Sequence, residues 1–135
     1  MIIYASYLIL EGAAVPVARI LVVDDEPAQR FALRRIFERA GHEVTDAGDG
    51  SAALRAVHDS PPDLVVTDMM MPVMGGGELI KRLRCEPATA GIPILAASGD
   101  PHLAVGADVV ISKPYEWEHL VEVADGLLKR GRDLQ

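Results

Sequence analysis

The sequence predicts an α/β protein built on a doubly wound parallel sheet of five strands. From Arg19 onward, short apolar runs alternate with amphipathic stretches. The runs are continuous and rich in β-branched residues, as strands buried on both faces should be. They also end at polar, chemically capable residues, and right-handed crossovers bring all such ends to one edge of the sheet.

Each element has its own signal. Ile20-Leu21-Val22-Val23 is a buried strand that stops at Asp24-Asp25. Pro27 then suits the first turn of a helix, where its missing N–H costs nothing. Leu33, Ile36, Phe37 and Ala40 supply the apolar stripe, and Gly41 closes the helix. Residues 42–47 form a weaker strand, Asp49-Gly50-Ser51 a turn and cap, and residues 52–57 a short helix. Residues 63–67 (DLVVT) form the third strand, which ends at Asp68. Residues 75–84 carry Leu79, Ile80 and Leu83 on one helical face. Residues 92–97 and 109–111 are the fourth and fifth strands. The last helix, residues 116–129, shows a stripe of Trp117, Leu120, Val121, Ala124 and Leu128.

Composition narrows the function. The chain of 135 residues has room for one domain and is half apolar, enough to fold alone. Its net charge of −7 argues against a nucleic-acid partner, since phosphate backbones need clustered Lys and Arg. Cys85 is the single cysteine, which fits a reducing, cytoplasmic compartment. The histidines His42, His58, His102 and His119 make no metal-ligand motif and read as surface or boundary residues. Residues 1–10 (MIIYASYLIL) are apolar but too short to span a bilayer, and they lack the basic segment of a secretory signal, so no membrane insertion is expected. Gly12-Ala13-Ala14-Val15-Pro16 reads as a flexible joint. Residues 1–18 are therefore assigned to an appendage and residues 19–131 to the domain proper.

The strand ends carry the chemistry. Asp24-Asp25, Asp68, Ser98 and, one residue on, Lys113 all fall at the same predicted edge. Each has an ordinary reading alone: an acidic pair caps a helix, a Ser before Gly turns the chain, a Lys before Pro is a charged loop residue. Their coincidence at four of five consecutive strand ends outweighs those readings. Converging carboxylates repel one another and raise their own pKa values unless a cation neutralises them. Mg²⁺ suits one or two carboxylates plus a phosphate oxygen. An aspartate can attack phosphorus, while Lys113 and the Ser98 hydroxyl share the charge of the transferring oxygens. A nucleotide-binding fold is disfavoured, because Val23-Asp24-Asp25-Glu26 occupies the turn that would need G-x-G-x-x-G, and Gly75-Gly76-Gly77 lacks the following Lys-Ser/Thr. The triple glycine is read instead as close backbone packing at a helix start, and Met69-Met70-Met71 as adaptable core and rim filling.

ILVVDDE (20–26), LVVTDMMMPVMGG (64–76), PILAASG (93–99) and VISKPY (110–115) together resemble the receiver domain of bacterial two-component response regulators. The resemblance covers residues 19–130. It implies a flavodoxin-like sheet in 2-1-3-4-5 order and a phosphoacceptor signalling protein rather than an enzyme. Asp68 would take the phosphoryl group from a sensor histidine kinase or a histidine phosphotransfer protein. Asp24, Asp25, Asp68 and the backbone carbonyl of Met70 would hold Mg²⁺, with Ser98 and Lys113 acting on the phosphoryl oxygens and a cis bond at Lys113-Pro114. A phosphorylation-independent adaptor, or the receiver piece of a longer regulator, are the alternatives.

Two departures stand out. Only GDPHLAV separates Ser98 from Gly106, so the fourth helix is shortened or missing, and Val110 stands where receivers commonly carry Tyr or Phe. The short connection is expected to expose Leu95, Ala97, Val109 or Ile111 according to the pleat. The apolar run 2–10 is the nearest cover, within one chain or across a homodimer; the competing expectation is a disordered run and a tightened loop.

Overall fold

A computed structural model describes residues 2–4, 7–10 and 13–133, with side chains described for residues 17–131. Three N-terminal strands, β1 (Ile2–Tyr4), β2 (Tyr7–Leu10) and β3 (Ala13–Pro16), pair antiparallel into a small sheet of their own. The joint expected at 12–16 is thus mostly strand; Gly12 lies outside the described residues.

The main body follows as β4 (Arg19–Val23), α1 (Pro27–Arg39), β5 (Glu43–Ala47), α2 (Gly50–Asp59), β6 (Leu64–Asp68), α3 (Gly76–Cys85), β7 (Ile94–Ser98), a single 3₁₀ turn (Pro101–Leu103), β8 (Val109–Ser112) and α4 (Trp117–Asp133). The five strands are parallel in the order β5-β4-β6-β7-β8, which is the expected 2-1-3-4-5. The expected loss of a helix between the last two strands also holds, since only the 3₁₀ turn is there.

Local signals explain the boundaries. Pro27 opens α1, and the helix ends in a paired closure: Gly41 N–H donates to Glu38 O (3.0 Å) and His42 N–H to Phe37 O (3.1 Å), with Gly41 at φ +94°. Asp49 caps α2 by accepting the N–H of Ala52 at 2.8 Å.

Two cores sandwich the sheet. On one face Ile20, Val22, Leu64, Val66, Leu95 and Ile111 pack against Leu33 and Phe37 of α1 and Leu120, Ala124 and Leu128 of α4. On the other, Leu21, Val23, Val65, Ile94 and Ala96 meet Ala53 and Val57 of α2 and Leu79, Ile80 and Leu83 of α3. Each fully buried aliphatic or Phe side chain contributes about 1.5–3 kcal/mol.

That pleat overturns the expected exposure at the short connection. Leu95, Ala97 and Ile111 are buried and Val109 is half-buried, because Leu95, Val109 and Ile111 face α1 and α4 rather than the shortened side. Ile94, Ala96 and Val110 occupy the shortened side, where Ala104 plugs the gap at 5% exposure. The tightened loop closes the sheet, and the argument for the N-terminal run as its cover falls. Two smaller expectations also fail. His42 is buried, its Nδ1 accepting the N–H of Ala18 at 3.1 Å. Trp117, at the first turn of α4, is 56% exposed rather than part of the core stripe. The methionine run fills core and rim as expected at Met69, which is buried, and at Met71, half-buried against the same core, whereas Met70 is exposed.

Candidate functional site

The carboxyl ends of β4, β6 and β8 frame a cleft of about 490 Å³ lined by Asp24, Asp25, Glu26, Gln29, Asp68, Lys113, Pro114 and Tyr115. One carboxylate oxygen each from Asp24, Asp25 and Asp68 lies within 4.8 Å of the other two. Asp24 follows β4 directly and is buried, held by the N–H of Glu26 donating to its Oδ1 at 3.0 Å. Asp25 is exposed at the rim. Asp68 closes β6; its Oδ1 accepts the N–H of Met69 (2.8 Å) and the Lys113 ammonium (2.7 Å).

Asp68 is fixed from behind by the start of α3. Gly76 N–H donates to Met69 O at 2.9 Å, and a Cβ on Gly76 would collide with the Asp68 carbonyl oxygen and lie 2.8 Å from Met69 Sδ. This is the close approach that the triple glycine signalled, and it sits at Gly76. In the same turn Val73 has φ +66°, a strained conformation for a β-branched residue, and is exposed.

The electrostatics follow from burial and charge. Burial raises the Asp24 carboxyl above its usual range, and the neighbouring charges of Asp68 and Asp25 add to the rise against the Glu26 N–H and Lys113. The expected repulsion among carboxylates is therefore present but second to desolvation. For Lys113, burial opposes the charge, yet the hydrogen bond and charge of Asp68 outweigh it, and the ammonium is held above its ordinary value. Tyr115, raised mainly by burial, accepts a hydrogen bond from Gln29 Nε2 at 3.2 Å.

Ser98 ends β7 one position beyond Ala97, the register partner of Asp68. Its buried hydroxyl is engaged with the backbone of Asp100, donating to the carbonyl (2.7 Å) and accepting the N–H (3.0 Å). The Lys113-Pro114 bond is cis. The structure thus brings Asp24, Asp25, Asp68 and Lys113 together, while Ser98 borders them with its hydroxyl turned aside and Met70 has its side chain in solvent.

Gln29, Tyr115 and Arg30, whose guanidinium donates to Asp24 O at 2.7 Å, were missed from sequence. Gln29 and Arg30 sit among ordinary polar residues of α1, and only Tyr115, directly after Lys113-Pro114, carried a signal.

The donor set fits Mg²⁺: three hard oxygen ligands converge, and the most buried one bears a penalty for charge that a cation would relieve. No helix among the described residues is long and apolar enough to cross a membrane.

The comparisons agree with the geometry. The response regulator receiver domain family matches residues 20–125. The chain is 38% identical over 122 residues to the DNA-binding response regulator MtrA of Mycolicibacterium smegmatis, covering 85% of this chain and 52% of that protein. It is 37% identical over 118 residues to the phosphate regulon regulatory protein PhoB of Pseudomonas aeruginosa, covering 82% and 52%. The chain spans about half the length of these curated relatives. Among solved structures, a putative response regulator from Chloroflexus aurantiacus aligns with TM-score 0.79 and 32% identity over 84% of this chain and 98% of that one. The chemotaxis response regulator CheY4 of Vibrio cholerae aligns at 0.76 and 31% over 82% and 98%. The chain belongs to the response regulator receiver domain family of two-component signal transduction.

Proposed function

We propose that Asp68 is the phosphoacceptor of this receiver domain, taking a phosphoryl group from a sensor histidine kinase or a histidine phosphotransfer protein in the cytoplasm. The observation that carries the reading is the convergence of three carboxylates on one face of the cleft, with the Lys113 ammonium 2.7 Å from Asp68 Oδ1. An Asp68 oxygen attacks phosphorus, the bond from phosphorus to the donor nitrogen breaks, and an acyl phosphate results. Lys113, already paired with Asp68, is placed to neutralise a phosphoryl oxygen, and the Ser98 hydroxyl is the neighbouring neutral donor. Asp24, Asp25, Asp68 and the Met70 carbonyl are the ligands proposed for Mg²⁺, which supplies positive charge to the transferring oxygens when bound. Asp24 and Asp25 hold that charge beside the acceptor while remaining unmodified themselves.

Because the chain covers about half of its relatives, output belongs to the proposal too. The acidity of this chain speaks only for its own surface. The expectation of no nucleic-acid partner is unsupported for a longer protein, since MtrA is a DNA-binding regulator. Incubation with Mg²⁺ and acetyl phosphate, followed by peptide mapping of the modified residue, tests the reading. Modification at Asp68 is expected, and modification elsewhere rejects it.

A further inference from the structure

Asp24 is held at three points, and one of them comes from a side chain outside the cleft lining. Its N–H donates to Ala47 O at 3.1 Å, just past the last β4–β5 pair of Val23 with Ala47. Its Oδ1 accepts the N–H of Glu26 at 3.0 Å. Its carbonyl accepts Arg30 Nη1 at 2.7 Å, so the first turn of α1 reaches back onto the end of β4. That carbonyl belongs to the peptide bond joining Asp24 to Asp25. Asp25 is exposed at the rim, and rotation of this peptide plane would swing its carboxylate away from those of Asp24 and Asp68.

A guanidinium beside a cation site has an electrostatic cost, and Asp46 at the end of β5 offsets it. Arg30 Nε lies 3.8 Å from Asp46 Oδ2, with the two side chains 24% and 34% exposed. The planar fork therefore donates to the Asp24 carbonyl with one nitrogen while another faces a carboxylate. Arg34, one turn further along α1, faces the same Asp46 oxygen at 3.5 Å and Glu38 at 3.7 Å, and the described residues show no bond from it to Asp24.

We propose that Arg30 is a positioning residue for the Mg²⁺ ligands: by holding the Asp24 carbonyl it fixes the peptide that carries Asp25 and keeps the three carboxylates converged. The inference rests on the reading of Asp24, Asp25 and Asp68 as the metal ligands. Two effects oppose each other when Arg30 is removed. On charge alone, deleting a cation beside a cation site tightens Mg²⁺ binding. Loss of the carbonyl bond loosens it, and groups that orient metal ligands without touching the metal govern roughly 10–100-fold of affinity. Because Asp46 already offsets the charge, the positioning effect wins and the sign of the change identifies the role.

Calorimetric titration of the full chain with Mg²⁺, for wild type, Arg30→Met, Arg30→Gln and Arg34→Met, tests the inference. Both Arg30 variants should bind Mg²⁺ about 10-fold more weakly, while Arg34→Met, which removes the same charge from beside Asp46, should bind as wild type or slightly tighter. In phosphoryl uptake from acetyl phosphate, Arg30→Met should raise the Mg²⁺ concentration for half-maximal rate by a similar factor. A partly unfolded variant would instead lower the maximum and leave the half-point in place. Unchanged or tighter binding in the folded Arg30 variants, or an equal loss in Arg34→Met, overturns the inference. A folded wild type that binds no Mg²⁺ at all would refute the reading of the site, and the role of Arg30 with it.

Discussion

Replacing Gly76 with alanine should damage both the fold and the chemistry, whereas the same change one residue later should damage neither. An alanine methyl at position 76 would press on the Asp68 carbonyl oxygen and lie 2.8 Å from Met69 Sδ and 2.9 Å from Met69 Cα. The sulfur can move, but the carbonyl and Cα are backbone of the strand end that carries Asp68. Overpacking of this kind costs about 1–3 kcal/mol. The helix-propensity gain of alanine over glycine offsets at most about 1 kcal/mol. Taking the middle of each range, a net loss of about 1.5 kcal/mol corresponds to a Tm lower by roughly 3–8 °C. Relief of the clash also displaces Asp68 relative to Lys113, and misplacement on the ångström scale costs up to about 100-fold in rate. Gly77→Ala is the control: its nearest neighbours would be Leu103 O at 3.7 Å and Met69 Cε at 3.8 Å, ordinary contacts. It should gain up to about 1 kcal/mol and phosphorylate normally. Thermal denaturation and a time course of phosphoryl uptake read both effects. Equal stability and equal rates in the two variants would refute the claim that Gly76 seats the acceptor.

The proposed Mg²⁺ site separates two residues: Asp25→Ala should weaken Mg²⁺ binding and slow uptake, while Lys113→Ala slows uptake and leaves Mg²⁺ binding nearly intact by calorimetric titration. The raised Asp24 carboxyl fixes the sign of a pH effect. Its ionisation costs stability above the folded pKa, and the cost vanishes below the unfolded value of 3.8. Without Mg²⁺, Asp24→Asn should therefore be more stable than wild type at neutral pH, with the gap closing as pH falls toward 3.8 in urea denaturation series. A gap that widened on acidification would reverse the assignment. Val73→Gly should relieve the strain of φ +66° and raise stability by about 1 kcal/mol, and a destabilised variant would show that the turn is not strained.

The strand ends were legible because strands buried on both faces read as unbroken apolar runs. A polar residue ending such a run, as Asp68 ends LVVT and Ser98 ends ILAA, marks the sheet edge. The same property hid the pleat. When both faces are apolar, nothing in ILAAS says whether Leu95 or Ile94 faces the shortened side; the helices packed on each face decide it. Arg84 was equally silent, since an arginine near a helix end in RLRCE looks like a solvated charge until the loop folds back onto it. Of the N-terminal strands, β3 was hidden by its alanines and proline, which weaken a strand signal that cross-strand pairing supplies in the fold. Gln29 belongs to the cleft only because α1 starts directly over Asp24, a placement that the tertiary fold sets.

The most direct test of Asp68 as phosphoacceptor is the intact mass of wild type and Asp68→Asn after incubation with Mg²⁺ and a small phosphodonor. Asparagine keeps the size of the side chain but cannot form an acyl phosphate, and it removes one of three crowded charges, so the variant stays folded. Wild type should gain the mass of one phosphoryl group and Asp68→Asn none. Equal labelling of both, or no labelling of a folded wild type that binds Mg²⁺, would contradict the account.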